Sequence, residues 1–168
     1  MNWHRIDAGT PLIPLSNRPS EYDWGCAYAA ANPVIIPNHE IWIYYGASNG
    51  KHTSWRDGFL ALATLRPDAW VGYQPVNSTA PATLRTTCLK YTGGELRIIV
   101  DPGEAPIEVS VLADNERILG EGKTLSRQGD DLPITWSEGF ALSALKDQSI
   151  RFEFTIPSGR LYSFSSQP

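Results

Sequence analysis

Apolar residues recur at every second position over much of this chain, and no stretch of ten or more residues sustains a helical period. The alternation is cleanest in Ile107-Glu108-Val109-Ser110-Val111 and in Ile150-Arg151-Phe152-Glu153-Phe154-Thr155-Ile156. Side chains along a strand point alternately to opposite faces, so each segment predicts a strand with one buried and one wet side. Further strands are predicted over Leu84–Leu89, Glu95–Val100, Ile107–Leu112, Arg117–Leu119, Leu132–Trp136 and Leu161–Phe164. Turn chemistry at Asp101-Pro102-Gly103, Ala113-Asp114-Asn115 and Pro157-Ser158-Gly159 punctuates them. Short strands between regularly spaced turns predict an all-β fold: an antiparallel, jelly-roll-like β-sandwich from about residue 70 onward. Leu142–Leu145 is long enough for only one helical turn.

Earlier in the chain the pattern differs. Val34-Ile35-Ile36, the turn residues Pro37-Asn38-His39 and the run Glu40–Tyr45 predict a β-hairpin, and Phe59–Leu65 a third strand, giving an N-terminal small sheet. These strands are apolar on both faces, whereas one sandwich can cover only one face, so association into a homo-oligomer is expected. Residues 1–31, with three prolines in PLIPLSNRPS, read as extended chain. Pro67 cannot donate to a ladder and keeps Arg66 out of helical space, so the expected division is 1–69 for the N-terminal strands and 70–168 for the sandwich. The segment Gly46-Ala47-Ser48-Asn49-Gly50-Lys51-His52 is polar, glycine-rich and free of large aliphatics, which suits a ligand rim.

Composition narrows the partners. A formal charge of −4 with no cluster of Lys and Arg argues against nucleic acid. The chain shows no apolar run long enough to cross a membrane, and MNWHRIDAG does not have the basic-then-apolar order of an export signal, so neither membrane nor localisation is signalled. Cys26 and Cys88 are not in a ligand motif and are expected to be buried thiols, a single disulfide being the alternative. His4, His39 and His52 match no ligand spacing, and no nucleotide loop or G-x-S-x-G elbow occurs, so no metal and no cofactor is expected. Tryptophan and tyrosine are abundant, and such amphipathic rings serve where a protein stacks on sugars or on other proteins. Trp24, Trp55 and Tyr73, beside loop signals, are the candidate stacking rings; Trp42 and Tyr44, in mid-strand, read as packing residues.

The succession EYDWGCAYAAANPVIIPNHEIWIYYGASNGKH, GFLALATLRPDAWVGY, GGELRIIVD, IEVSVLADN, LSALKDQSIRFEFTI and LYSFS resembles the C-terminal part of bacterial glycoside hydrolase family 32/43-like proteins. In that group a five-bladed β-propeller carries the sugar chemistry and a β-sandwich follows it. The resemblance implies a carbohydrate-active context, with Asp23, the Tyr44-Tyr45-Gly46 strand end, Asn49 and His52 on positions that match the propeller motif. Five blades of roughly four strands each far exceed the strands before residue 70, so most of the family's catalytic carboxylates have no counterpart in this chain.

These readings converge on a carbohydrate-binding β module that takes a poly- or oligosaccharide through Asp23, Trp24, Tyr45, Asn49, His52 and Trp55. The alternative is a glycosidase that pairs Asp23 with Glu40 or Asp57 in a site built around the 46–57 loop or across an oligomer. Such a pair must stand about 5 to 10 Å apart. A third reading is a structural remnant that binds no ligand.

Overall fold

The computed structural model describes residues 8–37, 40–53, 55–77, 79–101, 103, 105–124 and 129–167. His4 and His39 therefore lie outside the described residues. The chain divides into two compact units, Met1–Pro67 and Asp68–Pro168. Every strand pairing is antiparallel, so the fold is all-β and sandwich-like, and the helical content among the described residues is a single 3-10 turn, Leu142–Leu145.

The first unit is a four-stranded sheet built on its longest apolar run. Strand β3 (Ile41–Ser48) lies in the middle, β4 (Gly58–Leu65) pairs with it from Ser48↔Gly58 to Ile41↔Leu65, and β1 (Cys26–Ala29) and β2 (Val34–Ile35) share its other edge. β1 departs from the extended chain expected there; with four residues and three small or exposed side chains, CAYA offers little alternation to read. The second departure is that β3 runs on through Gly46, Ala47 and Ser48, where a rim loop was expected. Ala47 and Ser48 are both buried, because the edge strands supply partners to that depth.

Paired residues share a face, which sorts the sheet's side chains. Ile41, Ile43, Tyr45 and Ala47 form a buried side. The opposite side carries Tyr28 and Val34, exposed, Trp42 and Tyr44, half-buried, and Leu60 and Leu62, exposed.

The second unit is an eight-stranded sheet comprising β5 (Ala82–Arg85), β6 (Leu89–Lys90), β7 (Glu95–Asp101), β8 (Glu108–Ala113), β9 (Ile118–Thr124), β10 (Gly129–Trp136), β11 (Ser149–Ile156) and β12 (Arg160–Gln167). Its order is β12-β7-β10-β9-β8-β11-β5, with β6 also on β11. β11 and β12 follow one another in sequence yet stand near opposite ends of that order. The Phe164 ring of β12 nevertheless lies 6.1 Å from Phe152 and 5.2 Å from Phe154 of β11, so the sheet curls over until its two ends face each other across one core. Period-two alternation fills that core: Leu96, Ile98 and Val100, then Val109 and Val111, then Ile150, Phe152, Phe154 and Ile156. The expected strand Leu84–Leu89 is split, because Thr86 leaves the ladder to exchange both bonds with Phe152. β9 is longer than expected because Gly120 and Gly122 sit under the Phe140 ring and under Ile134 and Trp136, where a Cβ would come within 2.3 and 2.7 Å.

Candidate functional site

The expected site residues fall mostly at one end of the small sheet. Cys26, Ser48 and Gly58 are in register across β1, β3 and β4, so the segments beyond them, 23–25, 49–50 and 55–57, emerge together. Asp23, Trp24, Asn49, His52, Trp55 and Asp57 all belong to these segments or the loop joining them. Two glycines allow the meeting. The Gly25 amide donates to the Ser48 carbonyl at 2.8 Å, and a Cβ on Gly25 would stand 2.0 Å from the Gly50 oxygen.

Side chains then fix the loop. Asn49 donates through Nδ2 to Asp57 Oδ2 at 3.0 Å and accepts the Asp57 backbone N–H at 2.9 Å, a reciprocal pair that closes the 49–57 loop. Arg56 Nη1 donates to the Lys51 carbonyl at 3.3 Å and to that of His52. His52 stands edge-on to Tyr28, with centroids 6.2 Å apart. Trp55 is 95% exposed at the rim, and Trp24 is half-buried. Asp23 is half-buried and near enough to Tyr45 to act on its titration. Cys26, whose thiol donates to the Gly50 carbonyl at 3.6 Å, is held below the ordinary thiol range by the Ser48 and Tyr28 hydroxyls and then by Arg56.

Two expected members do not join this group. Tyr45 is only 5% exposed, and its hydroxyl meets that of Tyr22 at 3.4 Å, so its ring has no face for a sugar. Glu40 precedes the far end of β3 and accepts the Trp42 indole N–H at 3.0 Å. The seven steps from Ile41 to Ser48 span about 23 Å at about 3.3 Å each, too far for Glu40 to partner Asp23 or Asp57 in glycoside hydrolysis. Both cysteines are free, and Cys88 is exposed where a buried thiol was expected.

The chain matches no family profile, no curated protein and no solved structure. The likeness to glycoside hydrolase family 32/43 proteins thus rests on the motif residues quoted above.

The second unit holds a cleft of about 520 Å³ that the strand pattern did not announce. It opens where Pro157, Ser158 and Gly159 carry the chain from β11 to β12. Arg160 stands opposite Asp101 of β7 on one side, and on the other the Tyr73↔Leu161 bridge brings Gln74 beside it. Gln74 Oε1 accepts from Arg160 Nε at 3.1 Å and Nη2 at 2.7 Å; Arg160 Nη1 donates to the Tyr162 hydroxyl at 3.2 Å, and Tyr162 donates to Asp101. A bulge in β12 makes this possible. The register moves from Leu161↔Val100 to Ser163↔Ile99, which inserts Tyr162 as an extra residue and aims it beside Arg160. The signal in the sequence is Leu161 and Phe164, two core residues three positions apart, which strict alternation cannot put on one face.

Proposed function

We propose that this protein is a non-catalytic carbohydrate-binding β module whose ligand face is the loop end of the small sheet, and that copies of the chain associate through that sheet's open apolar side. The observation that carries the binding reading is Trp55, a tryptophan almost wholly exposed on a loop pinned by the Asn49–Asp57 pair. A large ring left in water at the cost of its hydrophobic burial, and held by a rigid frame, is the arrangement that stacks on the apolar face of a sugar ring. Around it His52, Asp57 and, from β1's side, Asp23 and Trp24 supply hydrogen-bonding groups and a second ring. The motif likeness to sugar-active propellers points the same way. Against catalysis stands the removal of Glu40, which leaves Asp23 and Asp57 as the carboxylates at this end, the latter already engaged with Asn49.

A panel of insoluble polysaccharides in pull-down format, run beside a reducing-sugar assay, tests this. Retention on at least one polysaccharide without sugar release is expected. Trp55→Ala, whose side chain packs on little, should weaken retention by about 1 to 3 kcal/mol, the range found for stacking on nucleic-acid bases. Sugar release would convert the reading to a glycosidase, and no retention on any polysaccharide would leave the small sheet a structural element.

A further inference from the structure

We infer that the cleft at the β11–β12 corner is a second binding site, for a neutral, hydroxyl-rich small molecule of the mono- or disaccharide class. Its volume falls within the about 300 to 1,000 Å³ of small-molecule sites. The chemistry of its lining selects the ligand. Arg160 and Asp101 bring one positive and one negative charge to adjacent positions, joined through Tyr162. An anion entering here meets the Asp101 carboxylate and a cation meets the guanidinium, so a ligand with a full charge gains little that the opposite group does not cancel. A sugar hydroxyl both donates and accepts, and suits a mixed set.

The donors are already oriented. Because Gln74 gives its oxygen to two Arg160 N–H groups, its amide NH2 faces away from the guanidinium. Asn77 likewise spends its oxygen on the Thr79 backbone N–H at 3.1 Å and hydroxyl at 2.7 Å, which leaves its NH2 to donate. Three of the five guanidinium N–H groups are used within the protein, and two more remain to the ligand. Ser158 and Asp101 complete the lining.

The frame is built to hold these groups still. Gly72 lies beneath Arg160 and Tyr162, where a Cβ would come within 2.4 Å of the Arg160 stem and 2.9 Å of the Tyr162 ring. The guanidinium lies 5.7 Å from the Tyr162 ring centroid, so the ring backs the charge as well as bonding to it. A network fixed before the ligand arrives spends little ordering entropy on binding. The site stands on a different unit from Trp55 and on separate observations.

Titration of the isotopically labelled full chain with cellobiose, maltose, lactose and sucrose, followed by amide chemical shifts, tests it. At least one disaccharide should shift the amides of residues 74, 77 and 158–160 saturably at millimolar concentration. Gln74→Glu keeps an acceptor for Arg160 but removes the outward NH2 and adds a charge, so it should weaken that binding roughly tenfold while the remaining spectrum stays in place. Trp55→Ala should leave it unchanged, which separates this site from the polysaccharide face of the small sheet. The inference is overturned if none of the four sugars shifts these amides, if galacturonate or glucosamine outcompetes the neutral sugars, or if Gln74→Glu, folded by its spectrum, binds as tightly as the parent.

Discussion

The Tyr22 and Tyr45 hydroxyls meet inside the small unit, and two phenols so placed share a proton-donor role that neither can give up cheaply. The bond to Tyr22, then burial, then the charges at Tyr22 and Asp23 push the Tyr45 pKa up to about 12 from its ordinary 10. The folded state thus favours the protonated phenol. Below pH 10 this contribution is fully present; as pH rises from about 10 toward 12 the unfolded chain ionises first, and stability falls. Tyr22→Phe removes the largest cause. Absorbance titration of the phenolate band should then show one tyrosine moving down toward the ordinary value, and alkaline denaturation should lose part of its steepness between pH 10 and 12. An unchanged titration curve in Tyr22→Phe would mean that burial alone sets the Tyr45 value.

Among the elements, β9 and β12 show how a strand is adapted rather than merely formed. β9 gives up side chains at Gly120 and Gly122 so that Trp136 and Phe140, themselves in edge-to-face contact at 5.2 Å, can lie on its backbone. Gly120→Ala would drive a methyl group into the Phe140 ring, and overpacking of that kind costs about 1 to 3 kcal/mol. Urea denaturation should show the midpoint fall with the slope retained. A gain in stability, as expected for alanine in an unobstructed strand, would mean that Phe140 swings aside. β12 instead gains a residue, and the bulge at Tyr162 is what gives the corner cleft its central hydrogen bonds.

At the scale of the molecule, the open side of the small sheet is the largest unsolved piece of packing. Leu60 is 81% exposed on the edge strand β4, whose sequence GFLALATL contains no charge and no proline and whose register against β3 has no bulge. Edges and apolar faces of this kind are the ones that soluble proteins otherwise guard. Association through this side predicts a light-scattering mass at micromolar concentration of at least twice 18.6 kDa. Leu60→Glu combined with Leu62→Glu should reduce it to the monomer with the circular dichroism unchanged. Ile43 is unsuited to the test, because it lies on the buried side and an acid there would unfold the unit. A parent protein already at 18.6 kDa refutes the association.

Alternation by itself determined most of the β architecture of this chain. Where one face is wet and one buried, a one-residue slip exposes a whole apolar row, so Ile107–Val111 and Ile150–Ile156 could be read correctly as strands and as core. The glycines and aromatics after residue 46 were legible as chemistry but not as geometry. The sequence could not say that Ser48 lies buried in a strand, that Tyr45 points inward, or that Glu40 sits at the far end of β3, because those facts depend on which edges β1 and β4 occupy. The corner cleft was hidden for the same reason. Gln74, Asp101 and Arg160 are brought abreast only by pairings between distant strands, and Tyr162 joins them through one inserted residue, so their chemistry exists only once the ladder is closed.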